Sequence, residues 1–233
     1  MHPGLSMFIA LLLGAISGLT TGVLFTKIKV NHLLAGLITT TASFSLSLAI
    51  SSANKIIPHH LTIFAFIPVG FENAQEILVL MIFAICFIFL AKWFLYTESG
   101  LLLRASGDNP AFLFHLGKSS QFYQILGFGM ANAVAALSGA LFAQYSGFFS
   151  ITANIGTLLT AIATVMIAEL FVQGISLVII IASITYQGIF YFTLFMALDP
   201  KWSNLIKALI MVFLISLKTI SGHKFILRVK NNA

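Results

Sequence analysis

Two short stretches carry residue types that suit chemistry, and the first is Gly117-Lys118-Ser119. It has the ending of a phosphate-binding loop, in which backbone N–H groups and a lysine hold nucleotide phosphates. Such a loop needs a glycine five positions before Gly117 and a buried strand ahead of it. The chain has Phe112 at that position and no such strand. We therefore expect no ATP hydrolysis by this chain, and any ATP must be bound by a separate subunit.

The second stretch is the adjacent pair His59-His60, which raises the question of a metal site. Neighbouring residues do not share a face of a helix or a strand, and no third ligand lies nearby. A loop with a short surface helix over residues 53–75 fits the composition better. Cys86 lies inside an apolar run, so the sequence predicts neither a disulfide nor a metal framework. Since paired carboxylates and Ser/His/Asp sets at usable spacing are also missing, we do not expect an enzyme.

The composition places the chain in a lipid bilayer. Of its 233 residues 59% are hydrophobic and 8% are charged, with a mean hydropathy of +1.04. Soluble domains carry about 25% charged residues. The net charge of +6 comes from scattered loop and tail residues and is no sign of nucleic-acid binding. The partner that the composition predicts is the membrane itself.

Seven apolar runs approach or exceed the roughly 20 residues that span a bilayer as a helix. The sequence therefore predicts an all-α, polytopic transmembrane helical bundle. In the first run, Gly14, Gly18 and Gly22 form a face of small residues that permits close helix packing. The runs are, approximately, Leu5–Phe25, His32–Ser52, Ile77–Tyr96, Gln121–Ala143, Ile155–Phe171, Ile175–Ala197 and Asn204–Ile220.

Polar side chains within these runs are costly in lipid and mark functional positions by default. Asn132 lies among alanines and glycines, where its amide either lines a path or bridges two helices. Gln144 and Tyr145 lie near the outer end of their run; for Tyr145, anchoring at the membrane interface is the alternative. Residues 144–157 are the predicted wall of a translocation path. The residues assigned to that path are Asn132, Gln144, Tyr145, Asn154, Thr157 and Thr160.

Residues 97–120 form a water-facing interval between two of these apolar runs. Asp108 or Asn109 can cap a helix that begins at Pro110, and Gly117 suits the left-handed residue just past its end. So short a helix is unstable alone in water. Four of its residues are large and apolar, so we expect it to dock into a groove of another protein. The alternative is that it packs under its own bundle. The four residues are Phe112, Leu113, Phe114 and Leu116.

The interval resembles the cytoplasmic coupling loop of bacterial ABC importer permeases of the branched-chain amino acid type, including their aromatic amino acid subgroup. The resemblance is carried first by Thr97-Glu98-Ser99-Gly100, Leu103-Arg104-Ala105 and Gly107-Asp108-Asn109-Pro110. It continues through Gly127-Phe128, Ala131-Asn132-Ala133, Leu137-Ser138-Gly139-Ala140-Leu141, Ala143-Gln144-Tyr145, Gly147-Phe148, Gly156-Thr157 and Ala168-Glu169. In that family, further membrane segments normally precede the region that Leu5–Phe25 resembles.

The resemblance implies a permease subunit that imports an amino acid or a similar small organic solute. Its partners would be ABC ATPase subunits, which bind the ATP, a second permease copy or a sister permease, and an extracytoplasmic solute-binding protein. Alternatives are a self-sufficient channel or secondary transporter, and a membrane assembly subunit that transports nothing. The coupling residues implied are Arg104, Gly107, Asp108, Asn109, Pro110, Phe112, Leu113, Phe114, Leu116 and Gly117, with Glu169 as a hypothetical ionic partner of Arg104.

The distribution of basic residues sets the orientation. If seven spans alternate, nine lysines and arginines fall on one side of the membrane and three on the other. The richer side is cytoplasmic by the positive-inside rule, and it contains residues 97–120. We expect one permease domain over residues 1–233 in the bacterial inner membrane, with a coupling loop at 97–120 and a basic cytoplasmic tail at 221–233.

Overall fold

The computed structural model describes residues 2–50, 55–58, 62–66 and 72–149. Beyond these it describes only 161–162, 164–165, 168, 182–188, 191, 205, 209, 212 and 216. The chain divides into two compact units, Met1–Ile151 and Thr152–Ala233. All the elements named below lie in the first unit.

This first unit is built almost entirely from helices. They are α1 (Pro3–Thr26), α2 (His32–Ile50), α3 (Glu72–Tyr96), α4 (Glu98–Asp108), α5 (Pro110–His115) and α6 (Ser120–Ser146), with a 3-10 turn at Ile63–Phe66. Two two-residue strands, β1 (Lys55–Ile56) and β2 (Phe148–Phe149), pair antiparallel. Among the described residues, four helices are long and apolar enough to cross a membrane. They are α1, α2, α6 and the part of α3 from Glu76 to Tyr96.

Helices α1 and α6 run antiparallel in close contact. A β-carbon placed on Gly14 would lie 2.4 Å from Cβ of Ala136, and one on Gly18 would lie 2.3 Å from the carbonyl oxygen of Phe128. One on Gly22 would lie 2.8 Å from Cα of Ile125. The small-residue face predicted for α1 therefore brings the two backbones together, and this packing needs residues without side chains.

The antiparallel arrangement separates the two ends of the bundle. The end of α1 and the loop with Lys27 and Lys29 lie beside the start of α6, so they share an end with α4 and α5. At the opposite end β1 pairs with β2, and Met7 packs with Leu137 and Leu141. The described helices thus alternate in direction as the orientation argument requires.

Residues 62–66 differ from the short surface helix that the sequence predicts. Phe64 is only 1% exposed, and the N–H of Ile63 donates a hydrogen bond to Oε1 of Gln144 at 3.0 Å. The segment therefore folds back onto the end of α6 rather than lying on the surface. His59 and His60 lie outside the described residues.

Candidate functional site: the α4–α5 interval

Helix α5 has the boundaries that its residues predict at its start. Asn109 is its N-cap, and its side-chain Oδ1 accepts a hydrogen bond from the N–H of Phe112 at 3.3 Å. Pro110 occupies the first helical turn, where its missing N–H costs no hydrogen bond within the helix. Of the two caps considered from the sequence, the structure uses Asn109, while Asp108 ends α4.

The end of α5 is a Schellman motif. Gly117 has φ +68°, its N–H donates to the carbonyl of Phe114 at 3.0 Å, and the N–H of Lys118 donates to that of Leu113 at 2.9 Å. The helix ends at His115, and Leu116 is its C-cap, one residue earlier than the predicted helix 110–116. Both ends are fixed by local contacts, which stabilise a helix too short to persist alone.

The apolar residues of α5 divide into two groups. Leu113 is fully buried within its own chain, whereas Phe112 is 51%, Leu116 51% and Phe114 81% exposed. Including Leu113 in the docking set is therefore wrong, since a side chain with no exposed surface cannot contact a partner. The alternative interpretation, that the helix packs under its own bundle, applies to Leu113. Phe112, Phe114 and Leu116 remain as an exposed apolar surface, referred to below as the α5 surface.

Helix α4 is an element that the sequence reasoning missed. Residues 98–108, expected as loop, form three helical turns with Thr97 as N-cap: the N–H of Gly100 donates to Oγ1 of Thr97 at 3.3 Å. A β-carbon on Gly100 would lie 2.3 Å from the carbonyl oxygen of Phe94, so glycine permits α4 to pack on the end of α3. The signal was the capping threonine followed by Glu98, obscured by three residues of low helix propensity, Ser99, Gly100 and Gly107.

The remaining coupling residues lie on α4 or at its end. Arg104, Gly107 and Asp108 are exposed. Glu169 lies outside the described residues, so its pairing with Arg104 stays a hypothesis. The described ion pair of this interval joins two other residues: the ammonium of Lys118 donates to a carboxylate oxygen of Glu98. This ion pair joins the first residue of α4 to the segment just before α6, so it connects the two ends of the interval.

The Glu98–Lys118 contact predicts a titration shift. The hydrogen bond from Lys118 lowers the pKa of Glu98, and the same bond raises the pKa of Lys118. The stability contributed by ionised Glu98 is therefore present above the ordinary pKa of a glutamate and is lost as pH falls through the lowered pKa of Glu98. The stability contributed by protonated Lys118 is lost as pH rises through the raised pKa of Lys118. We expect Lys118→Gln to return the pKa of Glu98 toward its ordinary value in a carboxyl NMR titration.

The control for that titration is Arg104→Gln, which removes a cation from the same interval without touching the described pair. It should leave the pKa of Glu98 where it is in the wild type. An unchanged pKa in Lys118→Gln would show that the two side chains do not interact in solution. Because both groups are exposed, the pair adds little to the free energy of folding.

Of the six residues assigned to the translocation path, the structure describes Asn132, Gln144 and Tyr145, all on α6. Gln144 is 7% exposed and its side-chain oxygen accepts a hydrogen bond from the N–H of Ile63, which favours a structural role, while its place on the path wall stays a prediction. The ring of Tyr145 lies edge-on to Phe64, with centroids 6.4 Å apart. Asn154, Thr157 and Thr160 lie outside the described residues.

Asn132 lies in the contact between α1 and α6. Its carbonyl oxygen would be 2.6 Å from a β-carbon on Gly14, and its Cβ 2.8 Å from one on Gly18. Of the two roles left open by the sequence, this position favours helix packing. No group of three or more metal-ligating side chains occurs among the residues that the structure describes.

Comparison with known proteins finds a matching family model and similar bacterial proteins. Residues 1–215 match the family model described as "Branched-chain amino acid transport system / permease component". A tyrosine transport system permease protein of Clostridioides difficile is 30% identical over 219 residues, which are 90% of this chain and 71% of that protein. No solved structure matches the chain.

Two uncharacterized bacterial proteins are also similar. One, from Rickettsia prowazekii, is 29% identical over 73% of this chain, and one from Mycoplasma pneumoniae is 27% identical over 72%. The chain spans 60% and 61% of the length of these two relatives.

Proposed function

The chain belongs to the family of permease components of branched-chain amino acid transport systems, and from this premise we propose that it is the membrane-spanning permease subunit of an ABC-type importer. A permease component is a non-catalytic membrane subunit, so ATP is hydrolysed by partner ATPase subunits. The imported solute is an amino acid or a similar small organic molecule. The name of the clostridial relative makes tyrosine the first solute to test.

The α5 surface is the observation that carries the proposed coupling. Phe112, Phe114 and Leu116 are exposed on a short, capped helix between two helices of membrane-spanning length. In lipid such side chains need no explanation, but in a polar interval they mark a protein contact. An ATPase subunit that binds this surface can displace α5 when it closes on ATP. That displacement switches the bundle between outward-open and inward-open states.

The charges of the described residues support the orientation of this surface. Lys27, Lys29, Lys92, Arg104 and Lys118 lie toward the end of the bundle that holds α5, and Lys55 lies at the other. Five basic residues against one support a cytoplasmic position for α5, on the side where ATPase subunits bind. The membrane is accordingly the bacterial inner membrane.

The proposed assembly retains the other expectations from the sequence. Residues 1–233 form one permease domain of about seven membrane segments, with the coupling loop at 97–120 and a basic tail at 221–233. This chain and a second copy or a sister permease enclose the path, and an extracytoplasmic solute-binding protein delivers the solute.

The rival function, a self-sufficient channel or secondary transporter, is disfavoured by the membrane helices that the structure describes. Such proteins place ionisable residues at mid-membrane for ion coupling. In the four described spans the charged side chains are Glu76 and Lys92, and both lie within five residues of an end of α3. A non-transporting assembly subunit remains an outcome of the experiment below.

The test is uptake by reconstituted protein. The chain, co-purified with ABC ATPase subunits and a solute-binding protein from the same organism, is placed in proteoliposomes and supplied with labelled tyrosine, then with leucine. We expect uptake that requires ATP on the side of the membrane where the ATPase subunits bind. It should stop when a non-hydrolysable ATP analogue replaces ATP. Uptake at full rate without the ATPase would establish the rival function. Absence of uptake of any supplied amino acid, in a complex that hydrolyses ATP, would favour the assembly subunit.

A further inference from the structure

The carbonyl of Ser106 has lost its usual helical partner. Within an α-helix this oxygen would accept from the N–H four residues later, but that residue is Pro110, which has none. Ser106 is 1% exposed, so water cannot replace the missing donor. A buried carbonyl without a partner is costly, and a donor must come from elsewhere in the fold.

Helix α6 supplies that donor. Nε2 of Gln124 lies 3.2 Å from the carbonyl oxygen of Ser106, and the hydroxyl of Ser120 lies 3.4 Å from it. Nε2 of Gln124 also lies 3.3 Å from Oγ of Ser120, so the two α6 side chains share the site. The break between α4 and α5 is thus joined to α6 by side-chain hydrogen bonds.

Apolar packing brings the same elements together. A β-carbon on Gly127 would lie 2.7 Å from Cδ1 of Leu103, so α4 packs closely on α6 one turn beyond Gln124. Leu113 is buried on the other side of the break, and Leu102 is 8% exposed on α4. The Glu98–Lys118 pair adds a contact at the surface. Several independent contacts therefore hold α4, and with it the break before α5, in one position relative to α6.

We propose that Gln124 is a positioning residue for ATP coupling: its amide ties the α4–α5 break to α6, so that a displacement of α5 is passed to α6 and, through the close α1–α6 contact, to α1. The inference rests on the proposed function, because it assumes that an ATPase moves α5. It adds the route by which that movement enters the membrane. Gln124 itself contacts neither solute nor nucleotide.

The test measures ATP hydrolysed per solute molecule transported. Gln124→Met keeps the length of the side chain but removes the donor. We expect it to raise this ratio about five-fold, the effect of losing one partly buried hydrogen bond on a two-state equilibrium, while the ATPase stays bound. Ser120→Ala removes the longer bond and should raise the ratio less. The control is Gln121→Met, an exposed glutamine on the same helix, which should leave the ratio unchanged.

Two results would overturn the inference. One is an unchanged ratio in Gln124→Met; the other is a loss of assembled complex from the membrane with a normal ratio in the protein that remains, which would make Gln124 merely structural. Failure of the proposed function is distinguishable, because the wild-type complex would then show no ATP-driven uptake at all.

Discussion

Replacing both Phe112 and Phe114 by aspartate should abolish binding of the ATPase subunits while the permease still inserts into the membrane. Phe112 and Phe114 are 51% and 81% exposed, so neither contributes much to the folded chain itself. If they fill an apolar groove of a partner, each aspartate would place an unpaired charge there, and that costs far more than the lost contact. Co-purification of tagged permease with the ATPase, at equal amounts of permease in the membrane, measures the effect.

Two controls make this prediction specific. Ile28 is 62% exposed in the loop between α1 and α2 at the same end of the bundle, and Ile28→Asp should leave the ATPase bound. Leu113→Asp, by contrast, should reduce the amount of folded permease, because Leu113 is fully buried. Retention of the ATPase by the Phe112→Asp/Phe114→Asp variant would remove α5 as the docking element.

Gly18→Leu should prevent stable folding of the membrane bundle. Even the first carbon of a side chain at this position would lie 2.3 Å from the carbonyl oxygen of Phe128 and 2.8 Å from Cα of Gly129. Since both are backbone atoms of α6, the two helices would have to separate. Overpacking of this kind costs about 3 kcal/mol or more. Size-exclusion chromatography and thermal unfolding of the detergent-solubilised protein would show aggregation and a lowered Tm.

The matched control is Gly36→Leu in α2. A β-carbon there would meet no atom within 4 Å, so the added side chain should extend into open space. We expect a Tm close to that of the wild type. Equal losses in the two variants would mean that glycine matters at both positions for another reason, and a normal Tm for Gly18→Leu would contradict the α1–α6 packing.

The local elements are those that the sequence predicts well. The first run was expected at Leu5–Phe25 and forms a helix at Pro3–Thr26; the fourth was expected at Gln121–Ala143 and forms one at Ser120–Ser146. The caps of α5 at Asn109 and Gly117 were also predicted. Length of an apolar run and capping chemistry are properties of a few adjacent residues, and they act in the same way wherever the segment lies in the fold.

The side-chain partners were not predictable in this way. Gln144 was expected on a path wall, and its hydrogen bond with the N–H of Ile63, 81 residues away, was not expected. Gln124 was not among the predicted functional residues, although Pro110 implied that the carbonyl of Ser106 needed a hydrogen-bond donor. A hydrogen-bonding side chain takes whichever group the fold brings within about 3 Å, and the sequence does not specify that neighbour.

The sequence by itself determined that this chain spans a membrane, approximately where its four membrane-spanning described helices lie, and that a capped apolar helix beginning at Pro110 interrupts them. Only the tertiary structure decided that Leu113 is buried while Phe114 is exposed, and that α6 is the helix tied to the break between α4 and α5. The physical reason is the solvent. In lipid the outward faces of helices are as apolar as the packed ones. Hydrophobicity therefore identifies the membrane-spanning segment, but it does not identify which face of a helix packs or which helix it packs against.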